Sequence, residues 1–103
     1  MAHTNPQEIT AQELEAMLES PQPPIVLDVR EPYETAHGII PGAQLMPMNT
    51  VPMRLQELPP DRPIVVYCHL GERSWVVAQF LARRGLADVK SLRGGIEAWK
   101  AIK

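Results

Sequence analysis

The stretch Ile64-Val-Val-Tyr-Cys-His-Leu-Gly-Glu-Arg-Ser74 decides the fold of this chain. Residues 64–67 are apolar and mostly β-branched, and the run is too short for a helix, so it predicts a buried strand. Gly71 allows the chain to turn sharply into a predicted helix over about 73–84, which Gly85 can end. A buried strand that turns directly into a helix is the building unit of parallel α/β sheets.

The rest of the sequence continues this alternation of short apolar runs and capped, amphipathic segments. We predict an α/β fold with a small parallel sheet of about five strands and helices on both faces. The further predicted elements are a helix from the capping box Thr10–Glu13 to Ser20, strands at 25–29, 42–46 and 89–92, at most a short helix at 31–36, a helix capped by Asn49 or Thr50 with Pro52 in its first turn, and a final helix at 96–102.

The spacing of apolar residues also predicts which side chains of two helices face the core. Trp75 and Trp99 are expected to be packing anchors rather than platforms for a ligand. The other side chains expected on an inner face are Val76, Val77, Phe80 and Leu81 in the helix at 73–84 and, partly buried, Met53, Leu55 and Leu58 in the helix that follows residue 50.

Length, charge and cysteine content limit the functions open to the chain. Its 103 residues suit one domain over 1–103, with residues 1–7 expected to form a flexible N-terminus. A formal net charge of −2 argues against partners such as nucleic acid or an anionic membrane, and no run reaches the ~18 apolar residues of a membrane span. One cysteine and no secretion signal fit a reducing cytoplasm, where we expect a monomer or a weak homodimer. The histidines share no metal-ligand spacing with Cys68, so no metal site is expected.

Cys68 lies at the carboxyl end of the predicted strand 64–67, and ligand sites of parallel sheets form at such ends. The turn into the next helix leaves backbone N–H groups unpaired, and together with the helix N-terminus they can hold an anion. Arg73 adds a positive charge to this loop. We therefore predict a stabilised thiolate that attacks a sulfur donor and keeps the sulfur as a persulfide. The alternative is that Cys68 is only a small buried apolar residue.

Four sequence blocks extend this interpretation to nearly the whole chain: Leu27-Asp-Val-Arg-Glu31, Gly38-Ile-Ile-Pro-Gly-Ala43, Cys68-His-Leu-Gly-Glu-Arg-Ser74 and Gly94-Gly-Ile-Glu-Ala-Trp99. In order and spacing they resemble the rhodanese (thiosulfate sulfurtransferase) family, and its single-domain members in particular. The third block, with the pattern C-x-x-G-x-R-S, is the most specific of the four.

The resemblance implies a rhodanese-like fold in which Cys68 is the catalytic, sulfur-accepting nucleophile. A donor such as thiosulfate, or a persulfide-bearing protein, would load Cys68, and a thiol or cyanide would then remove the sulfur. No cofactor is implied. Ser74 can bind the sulfur through its hydroxyl or serve only to cap the helix. The substrate-binding residues on this interpretation are His69, Leu70, Gly71, Glu72, Arg73 and Ser74.

The spacing of Cys68 and Arg73 separates two related chemistries. Related phosphatases have a C-x5-R loop that is wide enough for a phosphate ester, whereas four residues separate the cysteine and arginine here. We therefore expect sulfur transfer rather than phosphatase or arsenate-reductase chemistry. His69 stands where thiosulfate-using members often have arginine, and Glu72 adds a negative charge, so attraction of a dianionic donor is weakened.

Asp28 and Arg30 end the predicted strand 25–29 and should reach the same rim as Cys68. The resemblance implies that they organise the active-site loop through charged hydrogen bonds. The alternative is an ion pair that only stabilises the fold, with Glu31 or Arg73 as the partner.

Three functions are consistent with the sequence. The first is an enzyme with a catalytic persulfide on Cys68. The second is a persulfide carrier in a sulfur relay, which the weakened attraction for a dianionic donor favours. The third is a catalytically idle rhodanese-like interaction module, against which the presence of both Cys68 and Gly71 argues.

Overall fold

The computed structural model describes residues 7–103, which form a five-stranded sheet covered on both faces. In chain order the elements are β1 (Gln7–Ile9), α1 (Ala11–Leu18), β2 (Ile25–Asp28), a 3₁₀ helix (Pro32–His37), β3 (Gln44–Leu45), a second 3₁₀ helix (Met48–Glu57), β4 (Ile64–Tyr67), α2 (Glu72–Arg83), β5 (Val89–Leu92) and α3 (Gly95–Ala101). The strand order is β1-β5-β4-β2-β3 and every pair is parallel, so the predicted α/β architecture is confirmed.

The central position of β4 brings two predicted site segments to the same edge of the sheet. Tyr67, the last residue of β4, pairs with Asp28, the last residue of β2. The N–H of Val29 donates to the carbonyl of Tyr67 at 3.0 Å. The chain therefore leaves both strands side by side, with Cys68 following one strand and Arg30 following shortly after the other.

Both faces of β4 are buried, which explains why its sequence is apolar without alternation. Ile64, Val66 and Cys68 belong to the core between the sheet and α2. Val65 and Tyr67 belong to the core on the opposite face, where α1 and α3 pack. Successive side chains of a strand point to opposite faces, so Cys68 lies on the α2 side of the sheet.

Strand β1 was not predicted from the sequence. Gln7 to Ile9 pair with Lys90 to Leu92 at the edge of the sheet, and only Ile9 is buried. Three residues with one apolar side chain carry no periodic signal, so the pairing depends on β5. The predicted flexible N-terminus is therefore wrong at Gln7, and residues 1–6 lie outside the described part of the chain.

Two predicted helix starts have different outcomes. The capping box is confirmed, because the N–H of Glu13 donates to Thr10 Oγ1 at 3.1 Å and the N–H of Thr10 donates to Glu13 Oε1 at 2.8 Å. The predicted cap at Asn49 or Thr50 is wrong: the 3₁₀ helix Met48–Glu57 begins earlier, and the Thr50 hydroxyl donates to the carbonyl of Pro47.

Two side chains expected to be buried or partly buried lie in solvent. Met53 is 73% exposed, because it lies in a 3₁₀ helix whose periodicity differs from that of an α-helix. Val76 is 49% exposed, since its neighbour Val77 faces the core and adjacent helical residues cannot share a face.

None of the helices within residues 7–103 has the length and apolar character that a bilayer crossing requires.

Tyr67 connects three segments of the core. It has no exposed surface, and its hydroxyl group donates to Asp28 Oδ2 at 2.9 Å. The oxygen of that hydroxyl group also accepts a hydrogen bond from the N–H of Ile40 at 3.2 Å. Burial raises the pKa of this phenol to about 12, so it is a neutral hydrogen-bond donor at physiological pH.

We predict that Tyr67→Phe lowers the free energy of unfolding by about 1–3 kcal/mol, because the buried N–H of Ile40 loses its acceptor and Asp28 loses a donor. Urea denaturation measures this loss. Tyr33→Phe is the matched control, since Tyr33 is 77% exposed. Equal stability losses in the two variants would contradict the role assigned to Tyr67.

Candidate active site

The thiol of Cys68 lies deeper than the sequence analysis expected. The residue directly follows β4 and has no exposed surface. Its sulfur nevertheless accepts two backbone hydrogen bonds, from the N–H of Gly71 at 3.1 Å and from the N–H of Ser74 at 3.3 Å. A cysteine that served only as an apolar core residue would not need two N–H donors directed at its sulfur. The predicted convergence of amides on the thiol is therefore present in the fold.

Gly71 makes this convergence possible. It is the N-cap of α2 and has a φ of +118°, in the region that residues with a side chain rarely adopt. The turn at Gly71 directs its own N–H back to the sulfur three residues earlier. Ser74 lies in the first turn of α2, where N–H groups have no partner within the helix. A strand, a glycine turn and a helix start together surround one sulfur atom.

Two buried hydroxyl groups lie next to the sulfur, one in contact with it and the other behind the first. Ser74 Oγ lies 3.5 Å from the Cys68 sulfur and donates to the carbonyl of Gly71 at 3.2 Å. Ser91 Oγ lies 2.8 Å from Ser74 Oγ, and both serines are fully buried. Sequence reasoning missed Ser91, although a serine within the buried strand β5 is the kind of signal that could have found it. Ser74 thus both begins α2 and contacts the thiol.

Arg73 adds the predicted positive charge to the loop, but that charge is paired. Its guanidinium forms two hydrogen bonds with the carboxylate of Glu34, at 2.7 and 2.8 Å. The negative charge that offsets Arg73 was predicted at Glu72, but Glu72 is exposed at the start of α2 and Glu34 neutralises Arg73 instead. The hydrogen bonds with Glu34 raise the pKa of Arg73, and those from Arg73 lower the pKa of Glu34 to about 2. The pair stays fully charged at physiological pH.

Asp28 and Arg30 pair with each other rather than with Glu31 or Arg73. Arg30 Nε donates to Asp28 Oδ1 at 2.9 Å and Arg30 Nη2 donates to Asp28 Oδ2 at 2.7 Å, with both side chains buried. The hydrogen bonds with Asp28 raise the pKa of Arg30. Arg30 also donates to the carbonyls of Glu34 at 3.2 Å and Gly38 at 2.8 Å. The ion pair therefore stabilises the fold and also holds the segment whose carboxylate binds Arg73.

The remaining predicted site residues lie at the rim. The His69 side chain is about half exposed, and its Nε2 lies 3.2 Å from Glu97 Oε2. Leu70 is 53% exposed. Within residues 7–103, no three His, Cys, Asp or Glu side chains are grouped so that they could hold a metal ion.

This geometry agrees with comparisons to known proteins. The family model of the rhodanese-like domain matches residues 10–102. The chain belongs to this family. A sulfurtransferase from Allochromatium vinosum is 40% identical over 92 residues, which cover 89% of this chain and 86% of that protein. The thiosulfate sulfurtransferase GlpE of Stutzerimonas stutzeri is 32% identical over 76 residues, covering 74% and 70% of the two chains.

Solved structures show the same fold. A rhodanese-like domain protein from Staphylococcus aureus superimposes with a TM-score of 0.85 at 36% identity, covering 90% of each chain. The predicted family and the rhodanese-like fold are thus confirmed. The relatives support sulfurtransferase activity in general.

We predict that Glu34→Gln changes how stability depends on acid pH. The pKa of Glu34 is about 2 in the folded chain against an ordinary value of 4.5, so its stabilising effect is present above pH 4.5 and is lost as the pH falls toward 2. The variant should be less stable at neutral pH by roughly 1 kcal/mol and should lose less stability than the wild type on acidification.

Urea denaturation across this pH range tests the prediction. Glu72→Gln is the control, because it removes a carboxylate from the same loop but leaves the Arg73–Glu34 pair intact. If Glu34→Gln and Glu72→Gln give the same pH dependence, the pair does not stabilise the folded loop.

Proposed function

We propose that the chain is a sulfurtransferase that carries a sulfane sulfur as a persulfide on Cys68. The observation that supports this most directly is the pair of N–H groups, from Gly71 and Ser74, within 3.3 Å of one buried sulfur. Backbone donors of this kind stabilise a negative charge on sulfur without a metal or a second base. Such charge lies on Sγ in the attacking thiolate and on the outer sulfur in the persulfide.

The proposed cycle has two displacement steps. The Cys68 thiolate attacks the outer sulfur of thiosulfate, the S–S bond of thiosulfate breaks, and sulfite leaves with the electron pair. Cyanide or a thiolate then attacks the outer sulfur of the persulfide, and Cys68 leaves as a thiolate. Because Cys68 has no exposed surface, a donor reaches the sulfur only when the residues around it move.

The state of Arg73 supports sulfur chemistry over phosphate-ester hydrolysis. A phosphatase uses the loop arginine to bind a dianionic phosphate, often through two parallel hydrogen bonds. Here both of those donors already bind Glu34. The loop therefore holds an anion with backbone N–H groups rather than with a free guanidinium.

The same neutralisation favours a second candidate function, a persulfide carrier in a sulfur relay. Arg73 binds the carboxylate of Glu34, and His69 Nε2 lies 3.2 Å from Glu97 Oε2, so acidic side chains flank both basic residues of the loop. A small dianionic donor gains little from such a rim, whereas a persulfide-bearing protein does not depend on that attraction. We infer that either donor acts in the cytoplasm on a monomer or weak homodimer, because a reducing compartment keeps the single cysteine as a free thiol.

We predict that incubation with thiosulfate adds the mass of one sulfur atom to the wild-type chain and that cyanide removes it as thiocyanate. Cys68→Ser should show neither change, because the chain has one cysteine and an alcohol does not form the persulfide. Intact-protein mass spectrometry and a thiocyanate assay measure the two steps. Thiocyanate formation by Cys68→Ser at the wild-type rate would reject the proposed nucleophile.

The relay function makes a separate prediction about donor preference. If the neutralised rim disfavours small dianions, a cysteine desulfurase with cysteine should load Cys68 faster than thiosulfate does at equal donor concentration. Mass spectrometry measures the rate at which each donor loads Cys68. The desulfurase without cysteine is the control. Faster loading by thiosulfate would count against the carrier and leave the thiosulfate enzyme as the better description.

A further inference from the structure

The backbone of the nucleophile is held from the side opposite its thiol by the start of α3. The N–H of Ile96 donates to the carbonyl of Cys68 at 2.9 Å, and the N–H of Glu97 donates to the carbonyl of His69 at 3.4 Å. Helix α3 packs in the core on one face of the sheet, while the Cys68 side chain lies in the core on the other. These contacts therefore reach the active-site loop from behind.

Gly95 is the residue that allows this approach. It is buried, with a φ of +61°, and a Cβ placed on it would lie 2.3 Å from the carbonyl oxygen of His69 and 2.6 Å from that of Cys68. Both are backbone atoms, which cannot move aside as a flexible side chain can. Any side chain at Gly95 would push the Cys68–His69 backbone away from α3.

The two anchored carbonyls also determine where two further N–H groups point. A trans peptide group is planar, and its C=O and N–H point in opposite directions. Holding the carbonyls of Cys68 and His69 toward α3 turns the N–H groups of His69 and Leu70 away from α3, toward the side of the sheet that carries the sulfur. Within residues 7–103 neither N–H donates to another protein group, so both are available to an anion.

We propose that Gly95 is a positioning residue for sulfur transfer: its missing side chain lets α3 fix the Cys68 and His69 peptide groups so that the loop N–H groups face the persulfide. The inference rests on the proposed persulfide function for its catalytic consequence. Its structural part, that Gly95 sets the geometry of the loop, is independent of any sulfur donor. Gly71 packs against the same turn, because a Cβ on Gly71 would lie 3.4 Å from the N atom of Gly94.

The test compares Gly95→Ala with Gly42→Ala. Gly42 also has a positive φ, +83°, but a Cβ there meets no atom within 4 Å, so this control carries the backbone strain without contact to the loop. For each folded variant, thermal unfolding gives stability, kcat and KM describe sulfur transfer, and the amide resonances of Gly71 and Ser74 report the hydrogen bonds to the sulfur.

We expect Gly42→Ala to lose stability but to keep the wild-type loop resonances and a kcat within about twofold of wild type. Gly95→Ala should shift the Gly71 and Ser74 resonances and lower kcat by about 10- to 100-fold, with a smaller change in KM, because the donors are displaced from the reacting sulfur. A folded Gly95→Ala that matches Gly42→Ala in resonances and kcat would overturn the proposal.

If wild type transfers no sulfur, the proposed function fails while the amide resonances still test the positioning role.

If Gly95→Ala does not fold, Glu97→Pro and Glu97→Ala replace it. Both remove the carboxylate near His69, but only proline removes the N–H that donates to the His69 carbonyl, and at the third residue of α3 that N–H has no partner within the helix to lose. A lower kcat in Glu97→Pro than in Glu97→Ala supports the proposal, and equal kcat values contradict it.

Discussion

The convergence of backbone N–H groups on a buried sulfur is the constraint on which the rest of the structure depends. Backbone donors have fixed directions, so their convergence requires the strand end, the glycine turn and the helix start to keep one relative position. The core on the α2 side places Cys68 at the end of β4, and Gly71 turns the chain so that its N–H and that of Ser74 face the sulfur. A shift of any of these three elements would separate the donors from their acceptor.

Two sets of contacts keep the loop in place from different directions. On one side, the Asp28–Arg30 pair holds the carbonyl of Glu34, and the Glu34 carboxylate binds Arg73. On the other side, α3 binds the carbonyls of the loop. Neither set uses a charge directed at the sulfur, so the site combines a rigid frame with backbone donors. The charged residues near this nucleophile hold the loop in place through ion pairs and hydrogen bonds.

The structural elements that could be predicted from the sequence are those with a local sequence signal of their own. The apolar run 64–67, the capping box at Thr10 and the glycine turn before α2 each contain their own signal, and each is present in the fold. What could not be predicted depends on residues distant in sequence. Glu34 lies 39 residues from Arg73, and β1 exists only through pairing with β5. The burial of Cys68 follows from packing by α2 and the 3₁₀ helix Met48–Glu57, which no local pattern describes.

The depth of Cys68 has a consequence for the chemical durability of the chain. Oxidation of a thiol by peroxide proceeds through sulfenic to sulfinic acid, and its rate depends on the thiolate character of the sulfur and on the access of oxidant to it. Cys68 has no exposed surface in the donor-free fold, so an oxidant in solvent does not meet its sulfur directly. Burial thereby limits the access of oxidant to Cys68 during the intervals when no donor is bound.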